Sequence, residues 1–349
     1  MNAAIRQLAT TAIRAPSADN SQPWQLEWDG HQLLIGHRQT GQVDPFGPAG
    51  HPVLLSVGHL VEASCEYLRA ARGEFDLSWS EYPEHGSPYA VIRIGSFGNS
   101  TPEALPALSR HTNRFPFSDA ALPAQSLGQL ASDREATARI VMLDEAQGRH
   151  ALADVVNVCS QARFRTRELH EWLMASLRVS AAEAATGDGL DFDTLNLPPG
   201  GRTFMRLTSD WRTMRMLNRL GLYKILASAD SSLLYKAPLL MAVVGHGRPA
   251  EVMAAGRLIQ RTWVALNGIG LAVQPYYAVT DQYMRMQTGR VPEGFRPEVA
   301  DALARLPALL QLAPDEMLHL ILRIGWPTRQ PKRSLRLPLD SLFRDLTKP

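Results

Sequence analysis

The last third of the chain alternates strand and helix signals in an order that few architectures satisfy. An apolar run at Leu239 to Val244 leads into helical periodicity from Ala250 to Leu266, with Gly268 at its end. A second strand signal covers Leu271 to Pro275, helical patterns follow near Asp281 and Glu298, and a third strand signal closes the region at Leu318 to Ile324. Elements in that order bury their apolar faces by packing helices on a sheet.

The earlier part reads in the same terms. Ala3 to Ile13 carries helical periodicity stopped by Pro16, and Trp24, Leu26 and Trp28 are separated from Leu33 and Ile35 by Asp29-Gly30, a hairpin signal. A helix is predicted over Val53 to Ala71 with Gly73 beyond it, then strands at Phe75 to Ser80 and Tyr89 to Ile94. The Gly-, Ser- and Pro-rich stretch from Ser96 to Leu105 marks a boundary, giving an N-terminal half over 1–100 and a C-terminal half over 101–349. Helices at Pro123 to Ser132, Ala146 to Arg163 and Arg167 to Leu177 surround a strand at Arg139 to Leu143. The stretch from Ser180 to Ala229, with Phe204, Met205, Trp211 and Tyr223, is too long for a plain connection and reads as a lid over a substrate site. The expected class is α+β, a mixed sheet flanked by helices.

Composition excludes several functions. Thirty-six basic against 34 acidic residues leave a net charge of +2, too weak a bias for a nucleic-acid partner. The two cysteines, Cys65 and Cys159, sit in helix-like apolar patterns and read as buried small hydrophobes. With no CxxC and no metal-ligand spacing among the ten histidines, no metal is expected. The longest apolar run, Pro238 to Val244, is far short of a membrane span, and the first residues lack a signal-peptide pattern, so a soluble cytoplasmic protein is expected. Gly268-Ile269-Gly270 follows a helix and lacks a third glycine, and neither a P-loop nor a nucleophile elbow is present.

Two segments carry chemistry. Ala15-Pro16-Ser17-Ala18-Asp19-Asn20-Ser21-Gln22-Pro23-Trp24 gathers amides and hydroxyls just ahead of an aromatic residue; taken alone it is a loop entering an edge strand. Arg110-His111-Thr112-Asn113-Arg114 would, if helical, set two guanidiniums on one face with the Thr112 hydroxyl between them, which suits a dianionic phosphate. Taken alone it is equally an exposed basic turn. A further group of arginines, Arg323, Arg329, Arg333 and Arg336, lies near the C-terminus.

Together these segments resemble the nitroreductase superfamily. The first is similar to its Pro-Ser-x-x-Asn-x-Gln-Pro-Trp motif, and the second to its Arg-His/Arg-Ser-x-Arg/Lys motif, with Thr112 replacing serine. The resemblance implies noncovalent FMN, its phosphate and ribityl chain on Arg110, His111, Thr112 and Arg114 and its ring near Pro16, Ser17 and Asn20. More loosely, Gln274-Pro275-Tyr276-Tyr277 resembles the region whose following loop faces the flavin, although Tyr276 and Tyr277 replace the usual acidic-Gly pair. Arg333 and Arg336 resemble the basic tail that completes the phosphate site, Arg336 being the better match.

The two motifs stand in the reverse of the usual order, as in the Acg-like FMN-binding subgroup, where two halves of one chain imitate the family's homodimer. One composite flavin site is then expected, in a monomer with pseudo-dimeric halves or a weak homodimer. The implied activity is FMN-dependent electron or hydride transfer between NAD(P)H, NADPH among the candidates, and a small organic acceptor. A storage protein closed by a lid, or an FMN-dependent dehydrogenase of a small or peptide-derived substrate, stays open beside it. No catalytic acid or base can be named from the sequence.

Overall fold

The computed structural model describes residues 2–39, 45–80, 87–98 and 105–347. They form a mixed α/β fold of two main sheets flanked by helices. The first sheet runs in the order Phe343–Asp345, Trp24–Trp28, Gln32–His37, Ala90–Ser96, Glu74–Trp79. Its hairpin turns at Gly30, whose φ of 106° is a conformation that glycine adopts without steric cost. The second runs Ala272–Tyr276, Met317–Pro327, Leu239–Gly245, Ala138–Leu143, Arg134–Glu135, with Phe117–Ser118 paired to the end of Met317–Pro327. Its pairs are antiparallel, so the mixing of directions lies in the first sheet, where Phe343–Asp345 runs parallel to Trp24–Trp28.

The apolar run at Leu239–Gly245 is explained by burial on both faces. Leu239, Met241 and Val243 face one core, and Leu240, Ala242 and Val244 face another, formed with Leu152, Val155, Val156 and Cys159 of the helix Ala146–Phe164. The first core also takes in Trp24, Leu26 and Ile35 of the first sheet, so one apolar interior joins the two halves of the chain.

At the centre of that interior two 20-residue helices cross, His51–Ala70 and Pro249–Gly268. Seventeen residues of the first are buried, which is why its sequence is apolar nearly all round. The crossing is glycine on glycine: a Cβ on Gly58 would stand 2.0 Å from the Met253 carbonyl oxygen, and one on Gly256 2.4 Å from that of Leu55. Beside it, Glu62 of the first helix, 1% exposed, accepts from Arg69 of its own helix at 3.0 Å and from Arg257 of the second at 2.8 Å. Arg261 adds a longer contact to Glu62 and bonds Asp133 and Glu135.

Element boundaries follow the expected ones closely, with two corrections. The left-handed residue ending His51–Ala70 is Arg72 (φ 57°), not Gly73, and that after Pro249–Gly268 is Gly270 (φ 87°), not Gly268. The strand Phe343–Asp345 returns to pair with Trp24–Trp28 across the expected division at residue 100. Most of the Ser96 to Leu105 boundary stretch, 99–104, lies outside the described residues.

Because Gly58 has no room for a Cβ, Gly58→Ala is expected to destabilise the protein by about 1–3 kcal/mol, as overpacked cores do. Gly128, also inside a helix but with nothing near its Cβ position, is the control. Gly128→Ala should be neutral or stabilising by up to ~1 kcal/mol. Urea denaturation of both variants checks the contrast.

Candidate functional site

The segment Ala15 to Trp24 does not run straight into its strand. Asp19, Asn20 and Gln22 all take left-handed backbone conformations, with φ of 47°, 57° and 52°. For residues other than glycine such conformations carry strain, and they persist where surrounding bonds over-determine them. Here the bonds come from side chains. The Asn20 amide donates to the carbonyls of Gly187, Gly189 and Leu335, and Gln22, fully buried, donates to those of Asn20 and Gly187 and accepts from the Leu337 N–H. Ser17 Oγ accepts from the Gln22 N–H at 3.0 Å. The loop is thereby tied both to the long connection and to the C-terminal tail.

The Arg110 to Arg114 segment is not helical. Arg110, His111, Thr112 and Arg114 all line one cavity, while Asn113 turns away and is fully buried. Asn113 donates to Val273 O through its N–H and to Arg329 O through its side chain, and Asn267 Oδ1 accepts from the His111 N–H. Trp263 Nε1 donates to His111 O at 2.9 Å, and its ring lies 4.7 Å beneath the Arg110 guanidinium. Arg323 is no surface charge: it is 1% exposed and donates to Phe115 O at 2.7 Å, clamping the next turn of the same segment.

The cavity these segments enclose measures about 430 Å³, within the usual range of ligand pockets. Its wall includes Pro16, Ser17, Asn20, Arg110, His111, Thr112, Arg114, Pro275, Tyr276, Tyr277, Arg333 and Arg336, so one chain brings together all twelve residues expected from the sequence.

One end is cationic. Arg14, Arg110, Arg333 and Arg336 repel one another there, and no carboxylate among the described residues pairs with any of them. Burial first, then Arg336, Arg14 and Arg333, pull the Arg110 pKa well down. Arg110 is 6% exposed; Nη2 donates to Arg14 O, while Nε and Nη1 have no partner. The Thr112 hydroxyl makes no hydrogen bond among the described residues. Arg336 differs: its N–H groups are taken by the carbonyls of Ile13, Arg14, Ala15, Ser334 and Leu335, where the first helix has just ended. It supplies charge and a clamp rather than free donors. Burial, then Arg14, lowers its pKa to about 9.

The other end is apolar and aromatic, with Phe46, Phe164, Leu169, Trp172, Leu173 and Met205. Arg114 belongs here, electrostatically beside Asp19 and Tyr276 and donating to Thr194 O. Gln274 Oε1, also on the wall, is buried without a donor. Of the expected lid, the part facing the cavity is Leu190, Thr194, Leu195 and Met205. Trp211 packs instead on His170, and Tyr223 on Phe295.

Among the wall residues that escaped the sequence reading are Arg14, His59 and Trp263. Arg14 directly precedes the first motif, a usable signal. His59 and Trp263 lie within apolar helical patterns and gave none. Among the described residues no cluster could hold a metal ion, and no helix is long and apolar enough to cross a membrane.

No protein-family model matches the chain. It is 25% identical over 284 residues to the uncharacterized protein MT1398 of Mycobacterium tuberculosis (strain CDC 1551 / Oshkosh), covering 77% of this chain and 38% of that protein. The chain thus spans well under half of its relative's length. Solved structures similar to it include a nitroreductase with bound FMN from Bacteroides fragilis, at 11% identity and TM-score 0.35, covering 65% of this chain and 90% of that one. The FMN- and NADPH-dependent nitroreductase NfnB from Sphigopyxis sp. strain HMH gives 16% and 0.34, covering 68% and 95%. A BluB-like flavoprotein from Clostridium difficile 630 gives 11% and 0.36, covering 67% and 94%. Such scores describe a distant likeness.

Burial sets the pH response of the site. His59 is lowered to about 3, burial outweighing the Pro16 carbonyl that holds its Nδ1, and His319 to about 4, again by burial. Unfolded imidazoles titrate near pH 6.5, so between that value and about pH 4 the unfolded chain binds the extra protons. Stability should be level above pH 7 and fall as pH drops through 6.5, by about 1.4 kcal/mol per pH unit for each such histidine. Urea midpoints at pH 7.5, 6.0 and 5.0 test this, and His59→Gln should remove about one proton from the uptake on unfolding.

Proposed function

We propose that this cavity binds FMN noncovalently and that the protein is an FMN-dependent oxidoreductase of nitroreductase type. Its reductant is a reduced nicotinamide dinucleotide and its acceptor a small organic molecule. One observation carries the reading: an arginine cluster with no carboxylate partner among the described residues, holding two unpaired buried N–H groups of Arg110, opens into an aromatic-lined cavity. Such a cluster demands an anion, since an unpaired buried cation is otherwise costly. Gln274 Oε1, equally unpaired, calls for an N–H donor elsewhere on the same occupant. A phosphate joined to a planar ring that carries an imide N–H answers both demands.

In this arrangement Arg110, Thr112 and Arg333 hold the phosphate, and Arg14 and Arg336 add charge. Ser17, Asn20 and Gln22 fix the shape of the loop that meets the ring, because their side chains are already committed to the protein. Gln274 and the backbone from Pro275 to Tyr277 bound the ring on the sheet side. When bound, FMN supplies the two-electron chemistry. The chain supplies position, charge and, through Trp172, Leu173 and Met205, an apolar space that excludes water and receives the acceptor. The segment from Pro16 to Asn20 and that from Arg110 to Arg114 reach the same cavity within one chain, which supports a site complete in a monomer. The soluble, cytoplasmic setting expected from the sequence is part of the same proposal.

Protein denatured after purification should release FMN; release of FAD, or a colourless protein that no flavin reconstitutes, overturns the reading. Arg110→Ala removes charge-assisted bonds of about 1.5–3 kcal/mol, so the FMN Kd should rise about 10- to 150-fold, with the apoprotein's stability little changed because like-charge repulsion is relieved. Arg336→Ala should instead lower the melting temperature of the apoprotein, since it unties five carbonyls. Titration calorimetry and thermal melts on both variants separate the two roles.

A further inference from the structure

On the sheet side of the cavity a buried polar chain leads away from the ligand space. Tyr277, on the cavity wall, has its hydroxyl 3.0 Å from His51 Nδ1, and His51 Nε2 is 3.0 Å from His319 Nδ1. The rings are stacked in series, at 5.7 Å and 26° and then at 5.2 Å and 13°. His51 is 4% exposed and His319 not at all.

His319 is there because of a fault in the sheet. Val243 pairs with Leu320 and Val244 with Leu318, so His319 is the extra residue of a β-bulge. Bulges re-aim one side chain at the expense of ladder bonds. The carbonyls of Leu318 and His319 are both met by the buried Thr280 hydroxyl at 3.1 Å. His319 Nε2 is buried without a hydrogen-bond partner among the described residues; the groups that act on it electrostatically are the main chain of His246, the carboxylates of Glu251 and Glu316, and the His246 ring. That ring is 36% exposed, 3.4 Å from Glu251 and 3.2 Å from the exposed Asp315. Arg248 pairs with Glu251 and Arg139 with Glu316, while Asp281 and Arg285 face Tyr277 at the inner end.

We propose that Tyr277, His51 and His319 form a proton path to the occupant of the cavity, loaded at the unpartnered His319 Nε2 from the side of His246. The reasoning is one of hydrogen positions. With all three groups neutral, the chain has two consistent arrangements. In one, Tyr277 donates to His51 and His51 to His319; in the other every hydrogen is reversed, and the Tyr277 hydroxyl is free to donate toward the cavity. Passing from the second to the first, with a proton entering at His319 Nε2 and one leaving the Tyr277 hydroxyl, delivers one proton inward and leaves no charge buried. Burial keeps the groups neutral, raising Tyr277 well above its ordinary value and lowering His51 well below. An apolar trio would pack this position without the cost of desolvating three polar groups.

The inference rests on the proposed redox function, and supplies what its stoichiometry requires. When a reduced nicotinamide gives two electrons and one hydrogen to an acceptor, it ends as its oxidised cation. The acceptor, to gain two hydrogens, takes one further proton from water, and the path delivers that proton.

His319→Asn tests it, because a carboxamide can keep the bond to His51 but cannot exchange which atom carries the hydrogen; Tyr277→Phe is the second variant, keeping the ring and breaking the chain at its inner end. The FMN-loaded proteins are photoreduced, and proton uptake is followed with a pH indicator dye, in H2O and D2O, beside FMN affinity and melting temperature. We expect uptake in either variant to lag behind the wild type by about tenfold or more, with a larger solvent isotope effect, and added imidazole to recover part of the rate. Folded, flavin-loaded variants that take up protons at the wild-type rate, with only melting temperature or FMN affinity changed, would show a merely structural chain and overturn the proposal. A wild-type protein that binds no flavin overturns the redox reading, and this inference with it.

Discussion

The crossing of His51–Ala70 over Pro249–Gly268 sets the distance on which the cavity depends. At Gly58 and Gly256 the two backbones are in direct contact, closer than any side chain would permit. From that point one helix carries Pro52, Leu55, Ser56 and His59 to the cavity and the other carries Trp263. The Arg110 segment is then hung from the second helix, through Trp263 to His111 O and Asn267 to His111 N. A wider crossing would draw Trp263 from under Arg110. Glu62 and its arginines hold the crossing against sliding, since a buried carboxylate that lost them would be left uncompensated.

The N-terminal loop shows where the stability gained elsewhere is used. Three left-handed non-glycine residues within four positions cost of order 1–3 kcal/mol each. Against this stand the amide bonds of Asn20 and Gln22, each of the order of 1 kcal/mol net, and the packing of a fully buried Gln22. The motif's polar side chains thus act mostly on the protein itself, binding the loop to Gly187 and Gly189 and to the tail at Leu335 and Leu337. Their effect at the cavity is the shape of the backbone they enforce. Gly187 completes the joint: at φ 89°, its Cβ position lies 2.1 Å from Arg336 O, so the tail runs directly over it.

What could be read from the sequence follows from what is local. The strands and helices of the last third were legible because both faces of Leu239–Gly245 are buried and the helices bury one side each, patterns that need no knowledge of neighbours. The twelve candidate site residues were legible by type, and all of them line the cavity. The geometry was not: Arg110, His111, Thr112 and Arg114 reach the cavity from a non-helical segment, and no local signal separates that from a helical turn. Arg336 was legible as a cation but not as one whose donors are spent on carbonyls. His319 could not have been found at all, since it is one residue in a run of strand formers, and only its pairing with Leu239–Gly245 makes it a bulge. The same holds for Phe343–Asp345, whose place beside Trp24–Trp28 is set by a partner more than 300 residues away.

The cationic end of the cavity is the remaining step, because its cost and its use are the same quantity. Arg14, Arg110, Arg333 and Arg336 are held together by carbonyl bonds and by Trp263, none of which neutralises charge. Their mutual repulsion, strengthened by burial, is a standing penalty on the folded chain without an anion. A ligand bearing a phosphate removes that penalty as it binds, so its binding free energy and the stability it confers are linked through the same four residues. Arg336 makes the link structural: the side chain that ties the end of the first helix is also the charge that the anion relieves. A loaded cavity is therefore expected to hold the N-terminal loop and the C-terminal tail more firmly than an empty one, with no change in the contacts between them.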